Sequence, residues 1–168
     1  MEGNPHFHKI ERKEELPLVR TLADQVWPDT FRPILPPPQI PYMMEMMYSL
    51  PVMEKEFDEG VSYYILFIHD KPAGYLQLSP YHPEGTAKLH KIYLLQEHQG
   101  KGYGSFLIQF GLDTLRKEGF QRAILNVNKH NDKAIRSYFR NGFTIAETVK
   151  NDIGNGFFMD DFVMEHPL

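Results

Sequence analysis

The segment Gln99-Gly100-Lys101-Gly102-Tyr103-Gly104-Ser105 constrains the chain more than any other stretch, because three glycines fall within five positions directly ahead of a helical pattern. Glycine gives up backbone order, so it is used where the chain must turn sharply or come close to something. The run "TAKLHKIYLL" before it reads as a strand, and Tyr103 to Lys117 after it as a helix stopped by Gly119. Strand, glycine loop and helix start make a cradle for an anion, since the first-turn N–H groups have no partner inside the helix. The segment is not a Walker loop, which needs a terminal Lys-Ser/Thr pair. Nor is it the dinucleotide fingerprint, because the glycines run G-x-G-x-G and "RAILNVN", about 20 residues on, supplies no ribose-binding acid. A tight strand-to-helix turn without a ligand is the other reading of the segment taken alone.

Around this segment the pattern gives an order of elements. A short strand is expected near His6 to Ile10, a helix from about Glu14 to Val26, then a proline-rich loop, "WPDTFRPILPPPQIP", and a second helix at about Tyr42 to Ser49. The loop's P-x-x-P spacing is read as a stiff connection rather than a polyproline ligand. "GVSYYILFIHD" is apolar on both faces and so belongs inside a sheet, and "DKPAG" at Asp70 to Gly74 turns it into the next strand, "AGYLQLSPY". "RAILNVN" is a strand and "NDKAIRSYFRNGF" a helix capped by Asn131 or Asp132 and closed by Gly142. The C-terminal stretch is two strands around Asn155-Gly156, a hairpin signal. The sum is an α+β fold: one domain over residues 1–168 with a central mixed, mostly antiparallel sheet flanked by helices on both faces.

Composition excludes several function classes. A net charge of -4 and a pI near 6.0 speak against a general nucleic-acid binder, which needs a basic face for phosphates, and favour a small or cationic substrate. With no cysteine there are no disulfides, thiolate metal ligands or cysteine nucleophile, so an acyl-cysteine intermediate is ruled out. Eight scattered histidines, "HFH" at His6 to His8 among them, give no metal-binding pattern, and no metal is expected. The absence of an eighteen-residue apolar run or a signal-peptide block leads to an expectation of no membrane and a cytoplasmic location.

"IYLLQEHQGKGYGSFLI" followed by "NVNKHNDKAIRSYFRNGF" resembles the GNAT superfamily of acetyl-CoA-dependent N-acetyltransferases. Gln99, Gly102 and Gly104 match its Q/R-x-x-G-x-G/A loop, and Asn131, Ala134, Tyr138, Gly142 and Phe143 match its N-x-x-A-x-x-x-Y-x-x-x-G-F helix. The resemblance implies the GNAT fold and acetyl-CoA as cofactor, with the CoA pyrophosphate on Gln99, Gly100, Lys101, Gly102, Tyr103, Gly104 and Ser105. It implies further cofactor contacts at Asn131 and Ala134, and a pantetheine arm paired with Ile92, Tyr93 and Leu94, from which the strand "RAILNVN" splays away.

Amine attack on a thioester needs a proton removed from the amine and one supplied to the leaving thiolate. Tyr138 matches the tyrosine that sits near the CoA sulfur in many members of the superfamily, and is the expected acid. Read without the motif, it is a core tyrosine beside Ile135 and Phe139. Some members carry a glutamate on the strand before the cradle; Lys88 stands at about that position, a departure, and His90 on the same strand face is the candidate base, with a water chain as the alternative. "NDIGNGFFMDDFVMEHPL" and "QIPYMMEMMYS" resemble PaiA-like polyamine acetyltransferases within the superfamily, which implies a small cationic amine as acceptor, with Phe31, Tyr42 and Asp160 lining its site. Met43, Met46 and Met47 on one helical face are read as core. Two alternatives stand beside this reading, a protein or peptide amine as acceptor and a CoA-binding regulatory module without catalysis. A homodimer is expected by analogy with the superfamily.

Overall fold

In the computed structural model, which describes residues 2–168, seven strands and five α-helices follow one another along the chain. They are β1 (His6–Lys9), α1 (Leu16–Phe31), α2 (Gln39–Tyr48), α3 (Leu50–Asp58), β2 (Ser62–Ile68), β3 (Lys71–Pro80), β4 (Thr86–Leu94), α4 (Tyr103–Lys117), β5 (Arg122–Asn128), α5 (Asp132–Arg140), β6 (Thr144–Gly154) and β7 (Phe157–Pro167). The strands form one mixed sheet in the order β1-β2-β3-β4-β5-β7-β6, in which β4 and β5 are parallel and the β1–β2, β2–β3, β5–β7 and β6–β7 pairs antiparallel. Among the described residues no helix is long and apolar enough to cross a membrane.

The chain divides into two compact units. The first runs up to Leu78 and takes in Lys91–Leu107. Its helix α1 buries Leu16, Val19, Leu22, Ala23, Val26, Trp27 and Phe31, the three- and four-residue spacing of one helical face. Burying each large side chain of this kind stabilises the fold by about 1.5–3 kcal/mol. Four consecutive residues of β2, Tyr63 to Leu66, are buried, as an interior strand with β1 and β3 on its two edges requires. The second unit comprises Ser79–His90 and Ile108–Leu168. Its buried residues include Leu112 and Leu115 of α4, Ala123, Leu125 and Val127 of β5, Ile135 and Tyr138 of α5, Phe143 and Met164.

The downstream elements fall where the sequence places them. Helix α4 covers Tyr103–Lys117, β5 is "RAILNVN", and Asn155 and Gly156 take φ of 55° and 79° in the β6–β7 hairpin turn. Upstream, four readings are corrected. Helix α1 continues past Val26 to Phe31 with Pro28 inside it, because Trp27 and Phe31 lie on its buried face and outweigh the lost N–H bond. Residues Leu50–Asp58 form a helix, α3, that the sequence reading missed, although Pro51 in its first turn is a start signal. The hairpin turn lies at His69–Asp70, both with positive φ, 51° and 59°, and not across Asp70 to Gly74. Gly74 instead sits within β3, where a Cβ would come within 2.6 Å of the Tyr93 carbonyl. In α2 the core methionines are Met43 and Met44, while Met46 is 37% exposed, because the helix starts at Gln39 and its buried face is set by Gln39, Met43 and Tyr48.

Candidate active site

The glycine segment has the geometry of a cradle. Gly100 and Gly102 take φ of 75° and 91°, in the left-handed region that side chains resist, and nothing lies within 4 Å of where a Gly100 Cβ would stand. The first bond of α4 in this region runs from the Phe106 N–H to the Gly102 carbonyl at 3.2 Å, so the amides of Tyr103 and Gly104 precede the helical ladder and carry the positive end of its dipole. Gln99 ties the loop to the end of β4 through its Nε2, which donates to the Leu94 carbonyl at 3.0 Å. Tyr103 is buried and its hydroxyl donates to the Glu2 carbonyl at 2.5 Å, so its side chain anchors the loop. Lys101 is exposed beside these amides. Open backbone, preceding amides and a free-standing cationic side chain fit a pyrophosphate, and hence the CoA that the motif implies.

Of the β4 residues expected to meet pantetheine, Ile92 and Tyr93 are half-buried and Leu94 buried. Tyr93 belongs to an aromatic cluster of the first unit: its ring centroid lies 5.8 Å from Trp27, 6.2 Å from Phe31 and 5.7 Å from Tyr75. Phe31 is therefore brought against the end of β4, as a packed ring only 5% exposed, while Tyr42 is half-buried on α2.

Beneath this cluster lies a polar network that sequence reading did not find. The Lys91 ammonium, on a side chain 4% exposed overall, donates to the Met47 carbonyl at 3.0 Å, to Glu56 Oε1 at 3.1 Å and to the Tyr63 hydroxyl at 3.2 Å. Tyr63 donates to Glu56 Oε1 at 2.7 Å, and Gln77 Nε2 donates to Glu56 Oε2 at 2.9 Å. Burial pushes the Lys91 ammonium below the usual lysine range, and the Glu56 carboxylate opposes that shift. Every ammonium proton has an acceptor, so Lys91 is a structural tie. The hint in the sequence is that strand alternation puts Lys91 on the same face as Ala87, Leu89 and Tyr93, a cation on an apolar face.

The second unit holds the expected acid. Tyr138 lies on α5, 7% exposed, with its ring 5.7 Å from Phe143. Its hydroxyl has no hydrogen-bond partner among the described residues, and burial raises it above the ordinary phenol range, which keeps it protonated. Asn131 caps α5, its side chain accepting from the Ala134 N–H at 3.4 Å, so these two motif residues build the helix start between them. His90 is exposed on β4, with Nε2 2.5 Å from the Ser79 hydroxyl and its ring edge-on to Tyr81.

The two aspartates of β7 have separate surroundings, as strand alternation requires. Asp160 pairs with Lys129 at 2.8 Å. Asp161 is 3% exposed, and Asn126 Nδ2 donates to its Oδ2 at 3.5 Å. Burial pushes the Asp161 carboxyl up, against the opposing pull of Asn126 and of the Lys88 charge. Lys88, half-buried, holds its ammonium 5.0 Å from the Tyr81 ring, and burial lowers it. Elsewhere in the first unit, a cavity of about 550 Å³ lined by His6, Phe7, His8, Glu15, Leu18 and Phe67 contains none of the expected site residues.

Comparison with known proteins bears on the family and the fold. The chain is 36% identical over 70 residues to a mycothiol acetyltransferase of Corynebacterium aurimucosum, covering 40% of this chain and 23% of that protein. It is 30% identical over 86 residues to that of Corynebacterium glutamicum, covering 29% of the relative, so the chain spans about a quarter of the length of these proteins. Among solved structures, the PaiA N-acetyltransferase of Thermoplasma acidophilum in complex with coenzyme A superposes with a TM-score of 0.81 at 21% identity, over 98% of this chain and 99% of that one. The ribosomal-protein-S18-alanine N-acetyltransferase of Escherichia coli superposes with a TM-score of 0.73 at 20% identity, over 97% of this chain and 93% of that one. At these identities the agreement is one of fold. The sequence profile of the acetyltransferase (GNAT) family matches residues 22–143, a span that takes in both the glycine cradle and the helix of Tyr138, and the chain belongs to that family.

Proposed function

We propose that residues 1–168 act as one acetyltransferase domain that moves an acetyl group from acetyl-CoA directly to a primary amine. The observation that carries this reading is the cradle: two glycines at positive φ, followed by amides that precede the α4 ladder. Acetyl-CoA supplies an activated thioester carbonyl. Gln99 through Ser105 hold its pyrophosphate through backbone N–H groups, with Lys101 adding charge, and Ile92, Tyr93 and Leu94 pair with the pantetheine arm. Asn131 and Ala134 support the same ligand by forming the start of α5.

Tyr138 holds the proton that the leaving thiolate requires, a role suited to a buried phenol with no protein partner. His90 is the base in this reading, reached from solvent and held by Ser79. The acceptor is a polyamine or a similar small cation, lined by Phe31, Tyr42 and Asp160. The fold likeness to the PaiA enzyme and the acidic residues Glu147, Asp152, Asp160 and Asp161 near the C-terminus support it. A homodimer formed through the β6–β7 hairpin belongs to the same reading, since β6 is exposed along most of its length, and Ile145 on β6 and Phe158 on β7 are each more than 40% exposed.

The test is CoA release followed with a thiol reagent across spermidine, spermine, small monoamines, amino acids and lysine-bearing peptides. The chain has no cysteine and contributes no thiol of its own. Release with the polyamines is the expected outcome. Release with peptides alone moves the acceptor to protein amines, and CoA binding without release to any acceptor makes the chain a regulatory module.

A further inference from the structure

The parallel pairing of β4 with β5 runs from Thr86 opposite Arg122 to Lys88 opposite Ile124 and ends there, although β5 continues to Asn128. Strand parity then puts five residues on one face at this parting. Ile124 lies opposite Lys88, Asn126 follows two residues on, and Asn128, two further, lies opposite Asp161 of β7. Asp161 is 97% removed from solvent by its 3% exposure, yet among the described residues its carboxylate receives one side-chain hydrogen bond, from Asn126 at the 3.5 Å limit of such contacts. Lys88 is near enough to act on it electrostatically but makes no ion pair with it, and its ammonium rests over the Tyr81 ring. An ionised carboxylate offers about four acceptor positions, and burying one so poorly partnered is costly to the fold. Asp160, its neighbour, faces the other way and forms an ion pair with Lys129 at 2.8 Å.

We propose that Asp161, oriented by Asn126, is the group that receives the acceptor's ammonium and takes its proton. The assignment rests on the acetyl-transfer reading and replaces His90 with Asp161 as the base in it. The ammonium N–H groups donate to the Asp161 carboxylate, whose one side-chain hydrogen bond among the described residues is the long one from Asn126 to Oδ2. One proton passes from nitrogen to Asp161, leaving a neutral amine and a carboxylic acid. The amine's lone pair forms the N–C bond as the C–S bond breaks, and the sulfur takes the Tyr138 proton. The second proton shed by nitrogen restores Tyr138 through solvent, and Asp161 returns its own to water, so that one ammonium and one thioester give one amide, one thiol and one proton. Burial, which raises the Asp161 carboxyl, suits a proton acceptor better than an ordinary surface carboxylate. The groups that set its charge are Lys88 on β4, Asn126 on β5, and Asp160 and Lys129 beside it.

The experiment compares the full-length wild type with Asp161→Asn and Asp161→Glu, and with Asp113→Asn, on the exposed side of α4, as a charge-matched control. Spermidine, a lysine-bearing peptide and CoA are each titrated calorimetrically, and acceptor-dependent CoA release and melting temperature are measured in parallel. Asp161→Asn is expected to weaken binding of the accepted amine about tenfold and lower its kcat/KM about a hundredfold, with part recovered in Asp161→Glu. CoA affinity and melting temperature should not fall. Amine binding and turnover equal to wild type in Asp161→Asn overturn the assignment, as does a loss of CoA affinity together with a lower melting temperature. So does a wild type that neither binds nor acetylates any of the amines. A wild type that binds spermidine through Asp161 but releases no CoA retains the amine site and refutes the transfer reading instead.

Discussion

At the scale of single residues, two groups are held out of their ordinary titration ranges by burial, with different consequences. Tyr138 stays a phenol, and its replacement by phenylalanine removes the proton without changing the packing against Phe143. Turnover of Tyr138→Phe is expected to fall about a hundredfold, with CoA affinity unchanged; steady-state kinetics beside a CoA titration read both. Asp161 carries a stability signature of its own. Its folded carboxyl titrates above the unfolded one because it is desolvated. The stability it contributes is therefore present below the unfolded pKa and lost as pH rises through the folded value. Asp161→Asn should melt higher than wild type at neutral pH, with the gap closing in mildly acid buffer. A lower melting temperature at neutral pH would show that the buried carboxylate is well partnered after all.

At the scale of elements, the loop before α4 and the network beneath α2 and α3 make opposite demands. The loop needs backbone freedom: Gly102 at a φ of 91° suits no side chain, and Gly102→Ala costs about 1 kcal/mol in backbone strain. Its CoA affinity is expected to drop about tenfold, since each 1.4 kcal/mol is a factor of ten and a displaced amide adds to the strain. The network needs a fixed charge. Lys91 links the end of α2 through the Met47 carbonyl, α3 through Glu56 and β2 through Tyr63. Lys91→Met leaves Glu56 without its counter-charge and should destabilise the fold by about 3 kcal/mol, the low end for a broken buried pair because the Glu56 side chain is 29% exposed. Urea titration of the two proteins measures the difference. Helices α4 and α5 and strand β5 were legible because glycine stops, an Asn cap and apolar runs are local signals. Helix α3 was not: Leu50, Met53 and Phe57 stand at helical spacing, but the segment is only nine residues long and buries a single one, Met53.

At the scale of the whole molecule, binding of CoA to the folded chain alone should appear as thermal stabilisation. At a hundredfold excess over its Kd the gain is about 2.7 kcal/mol, or about 5–10 °C for a chain of this size. Thermal-shift measurements with and without CoA test this, and Gly102→Ala should show a smaller shift at the same CoA concentration.

By itself the sequence determined the α+β class, the order of the C-terminal elements, the cradle and the family resemblance, because those features depend on residues close together along the chain. Glycine spacing, helix caps and strand alternation act within one or two turns of backbone. The tertiary structure decided which polar side chains meet. Lys91 finds Glu56 across 35 residues, and Asn126 finds Asp161 across 35. Sequence alternation could say that Asp160 and Asp161 face opposite ways, but only the pairing of β5 with β7 determines which of them is buried beside Asn126 and which is taken by Lys129. Strand register is set by the summed packing of whole elements, and no short stretch of sequence contains that sum.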